Sequence, residues 1–307
     1  MFNTNITSII DLVTTFPTQE KCIEYLEQIR WDDEPVSPFD ETSKVYKCKN
    51  GKYRCKNTGK YFTVCTGTMF EGTKIGLQKW FLAIWLITCQ KKGISSMQLS
   101  RNLNVTQKTA WFMLQRIRAC YGIENNNELE GVVECDETFY GGANKNRHKD
   151  KKVERSQGRS FKDKVPVLGM LQRGGKLTAL VINNTQRKEI EPHIKTFIKK
   201  DSKVISDEWH AYSKLGYNYN HRIVNHAKKE YVNIEDNSIH TNTIEGAWKI
   251  FKNSAKGMYN HVSKKHLQYY VDEFVYRYNT RILSDSDKFN WLLLNSNVRM
   301  TYNKLIA

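Results

Sequence analysis

Apolar and polar positions change their period several times along the chain, and each change marks an element. Ile9, Leu12 and Val13, then Cys22, Ile23, Leu26 and Ile29, recur at helical steps on either side of Pro17, which predicts two short helices before residue 30. From Trp31 the steps shorten to alternation. Residues 44–49, 52–55 and 61–65 read as strands, with Asn50-Gly51 as the hairpin turn between the first two. Residues 77–89 are apolar almost all round, as in a buried helix. Residues 96–103 and 106–120 then carry Leu99, Leu103, Ala110, Met113, Leu114 and Ile117 at packing positions around a tight Asn104-Val105 turn, which is helix-turn-helix spacing.

Asn125-Asn126-Asn127 reads as a linker, and beyond it strands return. Residues 131–140 predict a first strand holding Asp136. Residues 165–172 and 177–183 predict a hairpin about Arg173-Gly174-Gly175-Lys176, followed by a helix over 186–200 and a short buried strand over 203–206 that ends at Asp207. A further strand is expected at 222–225. Helices over 264–278 and 288–294 are expected to pad the sheet. Strand, hairpin, helix, strand is the opening order of a ribonuclease-H-like α/β domain, with acids at the ends of its first and fourth strands, and Asp136 and Asp207 fit those places.

The helix expected over 240–252 carries two stripes. Ile244, Ala247, Trp248 and Phe251 form an apolar face, with Glu245, Lys249 and Lys252 beside it. Seven residues at about 100° each leave roughly 20° of rotation, so Glu245 and Lys252 project from one side, two turns apart. Taken alone, the stretch is also explained by Asn242 as helix cap and Glu245 as its capping-box partner.

Charge narrows the class. Lys and Arg number 48 against 32 Asp and Glu, a net +16, which points to polyanionic partners and to nucleic acid first. Thr106, Gln107, Lys108 and Thr109 open the second helix of the helix-turn-helix, where a recognition helix presents donors to a groove. Residues 141–164 are basic and poor in core-forming side chains, which predicts a mobile loop in which Lys149, Lys151, Lys152 and Arg155 meet phosphates. The longest apolar run, residues 80–89, is half of the roughly 20 residues that a bilayer crossing needs, so no membrane span is expected. Seven cysteines without framework spacing, and a start lacking a secretory pattern, suggest reduced thiols in the cytoplasm. Cys48, Cys55 and Cys65 lack the two-residue gap of a zinc knuckle, and zinc is not expected.

Three carboxylates on separate elements suit phosphodiester cleavage, where two divalent ions about 3.5–4 Å apart, magnesium or manganese, answer the charge on the attacking and leaving oxygens. Asp136 would bridge both ions, Asp207 and Glu245 would bind one each, and Lys249 or Lys252 would touch a phosphate. The runs ECDETFYGG, SDEWHAY, HTNTIEGAWKIFK and GMYNHVSKKHLQYYVDEFVYRYN, with TGTMFEGTKIGLQKWFLAIWLI and GISSMQLSRNLNVTQKTAWFMLQRIR before them, resemble the ISXO-like insertion-sequence transposases. That resemblance covers nearly the whole chain. It implies a DDE-type ribonuclease-H-like core, metal-dependent cleavage of element ends and strand transfer into target DNA, with Asp136, Asp207 and Glu245 as acids and Lys252 as the basic partner. Asn242 is a nearby alternate, because some relatives carry Asn as the third group.

It also implies double-stranded DNA as partner, bound by a homo-oligomer. The expected organisation is N-terminal helices over 1–30, a degenerate zinc-ribbon-like module over 31–74, a helix-turn-helix region over 75–124 and the catalytic domain over 128–307. Relatives build the ribbon on two CxxC-type pairs. Here Ser37-Pro38-Phe39-Asp40 and Cys55-Lys56-Asn57-Thr58 stand in those places, leaving an unliganded ribbon held by Tyr46, Tyr53, Tyr61 and Phe62. A DNA-binding regulator derived from a transposase, and a nuclease that does not join ends, are the competing functions.

Overall fold

The computed structural model describes residues 5–32, 34–141, 148–153, 164–226, 231–233, 236–259 and 262–307. The chain divides into two units, residues 1–123 with 282–307, and residues 124–281. In the first unit, α1 (Ile9–Thr15) and α2 (Gln19–Trp31) flank Pro17, each opened by a hydroxyl cap from Ser8 or Thr18. A three-stranded antiparallel ribbon follows, made of β1 (Val45–Lys47), β2 (Tyr53–Cys55) and β3 (Tyr61–Phe62), with Gly51 taking the positive φ its hairpin turn requires. The third strand is shorter than alternation predicts, because Thr63 N–H donates to Thr66 Oγ1 and Cys65 N–H to Thr63 Oγ1, which turns the chain out of the ladder. Trp31, Tyr53 and Phe62 form the module's aromatic core. Tyr46 and Tyr61, expected to share that role, are exposed. Helices α3 (Leu77–Cys89), α4 (Ser96–Leu103) and α5 (Gln107–Tyr121) complete this stretch, with Asn104 left-handed between the last two.

In the second unit, β4 (Val132–Tyr140), β5 (Val165–Gln172), β6 (Leu177–Val181), β7 (Lys203–Asp207) and β8 (Asn220–Val224) form one mixed sheet in the order β6-β5-β4-β7-β8. β4 is antiparallel to β5 and parallel to β7, and β7 is parallel to β8. This mixed order with helices on both faces is compatible with a ribonuclease-H-like core. On one face α6 (Arg187–Phe197) packs Ile190 and Ile194 over Val133, Cys135, Leu168 and Met170. On the other, α7 (Asn242–Ser254) and α8 (Leu267–Asn279) cover Val167, Leu171 and Ala179. The sheet thus separates two cores, and α7 owns the face that matters below.

The chain then returns to the first unit through α9 (Asp285–Leu294) and α10 (Tyr302–Ile306). The expectation that residues 288–294 pad the sheet is corrected. Phe289 packs against Phe16, Phe81 and Trp85, and Asn290 accepts the Tyr25 hydroxyl at 2.6 Å, so the apolar face of α9 is used by α2 and α3. All seven cysteines are free thiols. Among the described residues no helix is long and apolar enough to cross a membrane.

Candidate active site

Alternation along β4 sends its side chains to two different places. Val133 and Cys135 enter the α6 core, so Glu134, Asp136 and Thr138 face α7. Glu134 pairs in register with Ile205 of the parallel strand β7, so Asp136 and Asp207 each lie two residues further on and project to that same face. Asp207 is buried at the strand end, where its Oδ1 accepts the Trp209 N–H at 3.0 Å. Asp136 lies opposite Gly169, and a Cβ on Gly169 would sit 2.3 Å from Cζ2 of Trp248. Only a glycine there lets α7 come so close to the strand bearing Asp136.

The start of α7 is fastened by Glu134, a fully buried carboxylate. It accepts the Ile244 N–H at 2.9 Å, the Thr243 hydroxyl at 2.9 Å and Arg173 Nε at 2.6 Å. Arg173, in the β5–β6 turn, also donates to the carbonyls of Ser238 and His240. The helix cap is Thr241 rather than Asn242, with no side-chain cap bond, because Glu134 serves the orphan amide at the helix start. Glu245 is free of a capping-box role: its Oε1 accepts the Thr241 hydroxyl at 2.9 Å and lies 3.5 Å from His226 Nε2.

Between β4 and α7 opens a cleft of about 380 Å³ lined by Asp136, Glu137, Thr138, Glu245, Trp248, Lys249, Lys252 and Asn253. Burial and the charges of Glu137, Asp207 and Glu245 push the Asp136 carboxyl up to about 8. Three neighbouring carboxylates thus add to burial in opposing its ionisation. Thr138 Oγ1 and the Trp248 indole N–H, both at this cleft, are buried without a hydrogen-bond partner. Glu137 points to the opposite core, where the buried Tyr212 hydroxyl donates to it. Among the described residues, no three acid, imidazole or thiol side chains are gathered into a metal cage.

Residues 128–279, essentially the whole second unit, match the model of the ISXO2-like transposase domain. The second unit is an ISXO2-like transposase domain. The chain is also 28% identical, over 246 residues, to an uncharacterized protein in transposable element ISH50 of Halobacterium salinarum, a match spanning 76% of this chain and 82% of that protein. Membership implies DNA as partner and a nuclease-type activity.

In this transposase the four residues expected to read DNA stand together at the start of α5, partly engaged with their own unit. Thr106 caps the helix and shares a 2.8 Å hydroxyl bond with Thr109, Gln107 Nε2 donates to Ser96, and the Lys108 ammonium sits 5.0 Å over the Tyr302 ring. Lys149 and Lys152 are exposed, Lys149 in a single 3-10 turn. Arg155 and the rest of residues 142–147 and 154–163, including the expected mobility of that loop, lie outside the described residues, as does the Lys151 side chain. In the ribbon, Ser37 and Cys55 are fully buried, the Cys55 thiol meets Ser43 Oγ at 3.2 Å, and Asp40 holds Asn57 at 2.8 Å.

Reading the sequence missed Glu134, Arg173 and His226. Glu134 looks like an ordinary polar position in an alternating strand. The Arg173-Gly174 turn was legible only as a turn, and His226 follows a short strand with no spacing that ties it to Glu245.

Proposed function

We propose that this transposase cuts the ends of its element and joins them to target DNA with Asp136, Asp207 and Glu245 as the catalytic acids. Support comes from one observation: Asp136 holds its proton to about 8 because burial and three neighbouring carboxylates disfavour its charge. Such a deficit of positive charge, beside the orphaned Thr138 hydroxyl, suits hard divalent cations. Asp136, Asp207 and Glu245 would hold them, magnesium or manganese, and the bound ions would offset charge on the attacking and leaving oxygens. Lys249 and Lys252, exposed on the same helix and lining the cleft, orient a phosphate there. α4 and α5 act as a helix-turn-helix that offers Thr106, Gln107, Lys108 and Thr109 to DNA, and Lys149, Lys151, Lys152 and Arg155 neutralise phosphates. The ribbon is a zinc ribbon that has lost its metal, its former ligand places taken by the hydrogen-bonded Ser37, Asp40, Cys55 and Thr58. The working form is a homo-oligomer assembled on the element ends.

Asp136→Asn tests the catalytic assignment. It removes an acid but no phosphate contact, so manganese-dependent cleavage should vanish while DNA affinity stays within about two-fold of the parent, as expected when only transition-state stabilisation is lost. Retained cleavage would remove Asp136 from the catalytic set. Loss of binding in parallel with cleavage would favour a DNA-binding regulator.

A further inference from the structure

The first unit contains a second cavity, of about 300 Å³, between the start of α5 and the C-terminal helix α10. At the small end of ligand pockets, roughly 300–1,000 Å³, it has room for one compact planar group and not for a helix or strand. Its walls pair cations with rings. Lys108 Nζ lies 5.0 Å over Tyr302, Arg116 Cζ lies 4.5 Å over Phe112, and Phe112 and Tyr302 meet edge to face at 5.4 Å. Lys74 adds a third positive charge to the lining. Arg116 is only 7% exposed and spends Nη1 on the Met69 carbonyl, yet its Nε–H has no hydrogen-bond partner. A buried donor left unpaired is costly, and this one belongs to a side chain that lines the cavity.

We propose that this cavity receives a single unpaired nucleobase extruded from DNA held against α5. A base supplies a π face for Phe112 and Tyr302, edge acceptors for the Arg116 Nε–H, and a flanking phosphate for Lys74 and Lys108. Lys108 and Thr109 belong both to the cavity and to the start of α5, so a nucleotide leaving a duplex on that helix has the shortest path into it. The proposal rests on the reading of α5 as a DNA-contacting helix. Extrusion is least costly for a base that is already unpaired, so the site favours DNA that is locally open.

The test uses the full-length chain at low salt with two duplexes of one sequence, each carrying 2-aminopurine, fully paired in one and bulged in the other. The parent is expected to bind the bulged duplex about ten-fold more tightly, with the fluorescence of the bulged base quenched on binding. Tyr302→Ala and Arg116→Lys should bring bulged affinity down to the paired level while leaving paired affinity unchanged, which also reports that the unit is folded. Gln107→Ala should weaken both duplexes alike. Equal binding of the two duplexes by the parent would overturn the cavity and leave α5 as a DNA helix. A preference that survives both cavity variants would overturn it as well. Binding of neither duplex would remove the DNA reading of α5 and the cavity with it.

Discussion

Two buried carboxyls in the second unit are held above the ordinary range, both chiefly by burial but with different neighbours. Asp136 is raised by burial and by Glu137, Asp207 and Glu245, so its perturbation records a crowd of like charge at the cleft. Asp272 is raised by burial to about 6, against the hydrogen bonds of Gln268 and Asn125, which lower it. Both amides donate to Asp272 Oδ1, at 2.7 Å from Asn125 and 2.8 Å from Gln268, which leaves their carbonyl oxygens to accept the N–H groups of Ala179 and Val181 in β6. Asp272 is thus an orienting group, and its charge is a cost to the fold. An ordinary carboxyl of this type titrates near 3.8 and the folded one near 6, so between those values the folded chain binds more protons than the unfolded chain. Stability from this group therefore falls as pH rises through that window, by at most about 3 kcal/mol. Asp272→Asn keeps an acceptor and cannot ionise. In urea unfolding at a series of pH values, the stability of the variant relative to the parent should climb from about pH 4 to about pH 6 and then level off. A difference independent of pH across that range would remove Asp272 from this role.

At the scale of elements, α7 brings Glu245, Lys249 and Lys252 to β4 because two positions on the sheet permit it: Gly169, which leaves room for Trp248, and Glu134, which holds the helix start. Glu134→Gln conserves shape but gives up the charge that faces Arg173. A hydrogen bond to a charged group is worth about 1.5–3 kcal/mol, so amides in the first turn of α7 should exchange with solvent at least about ten-fold faster. Cleavage should fall with them, while amides of α6, on the other face, keep their protection. Hydrogen exchange read element by element checks this, and unchanged protection at Ile244 would show that apolar packing alone holds the helix. The strands and helices themselves were legible from period, since Val133 and Cys135 alternate with Glu134 and Asp136, and Ile244, Trp248 and Phe251 recur at helical steps. What holds them in place was not, because the partners of Glu134 in α7 lie 109 and 110 residues away in sequence. Asn125 makes the same point: it reads as linker, but it is buried and bonds Ala179 through both its amide groups, while Asn279 serves Leu177. With Gln268 on Val181, side-chain amides cover alternate residues of the edge strand β6, a protection against edge pairing that no local pattern reveals.

For the molecule as a whole, a net charge of +16 makes DNA affinity a matter of counterion release as well as of shape. The cleft between β4 and α7 carries the acids Asp136, Glu137 and Glu245, so on the proposed reading the phosphate-neutralising charge has to come from around them. Lys249 and Lys252 lie on one side, and the basic run 141–164 leaves the strand that bears Asp136. Within the described part of that run, Lys149 and Lys152 are exposed. Replacing Lys149, Lys151, Lys152 and Arg155 together by Ala removes up to about four phosphate contacts, each worth roughly 0.9 in the slope of log K against log salt. The slope should flatten by up to about that sum, and affinity should fall equally for terminal-repeat and random duplexes, since phosphate contacts carry no base information. A change confined to terminal-repeat DNA would mean that the run reads sequence. An unchanged slope would return it to ordinary solvated surface and pass the phosphate clamp to Lys249, Lys252 and Lys256, whose replacement would then have to flatten the same plot.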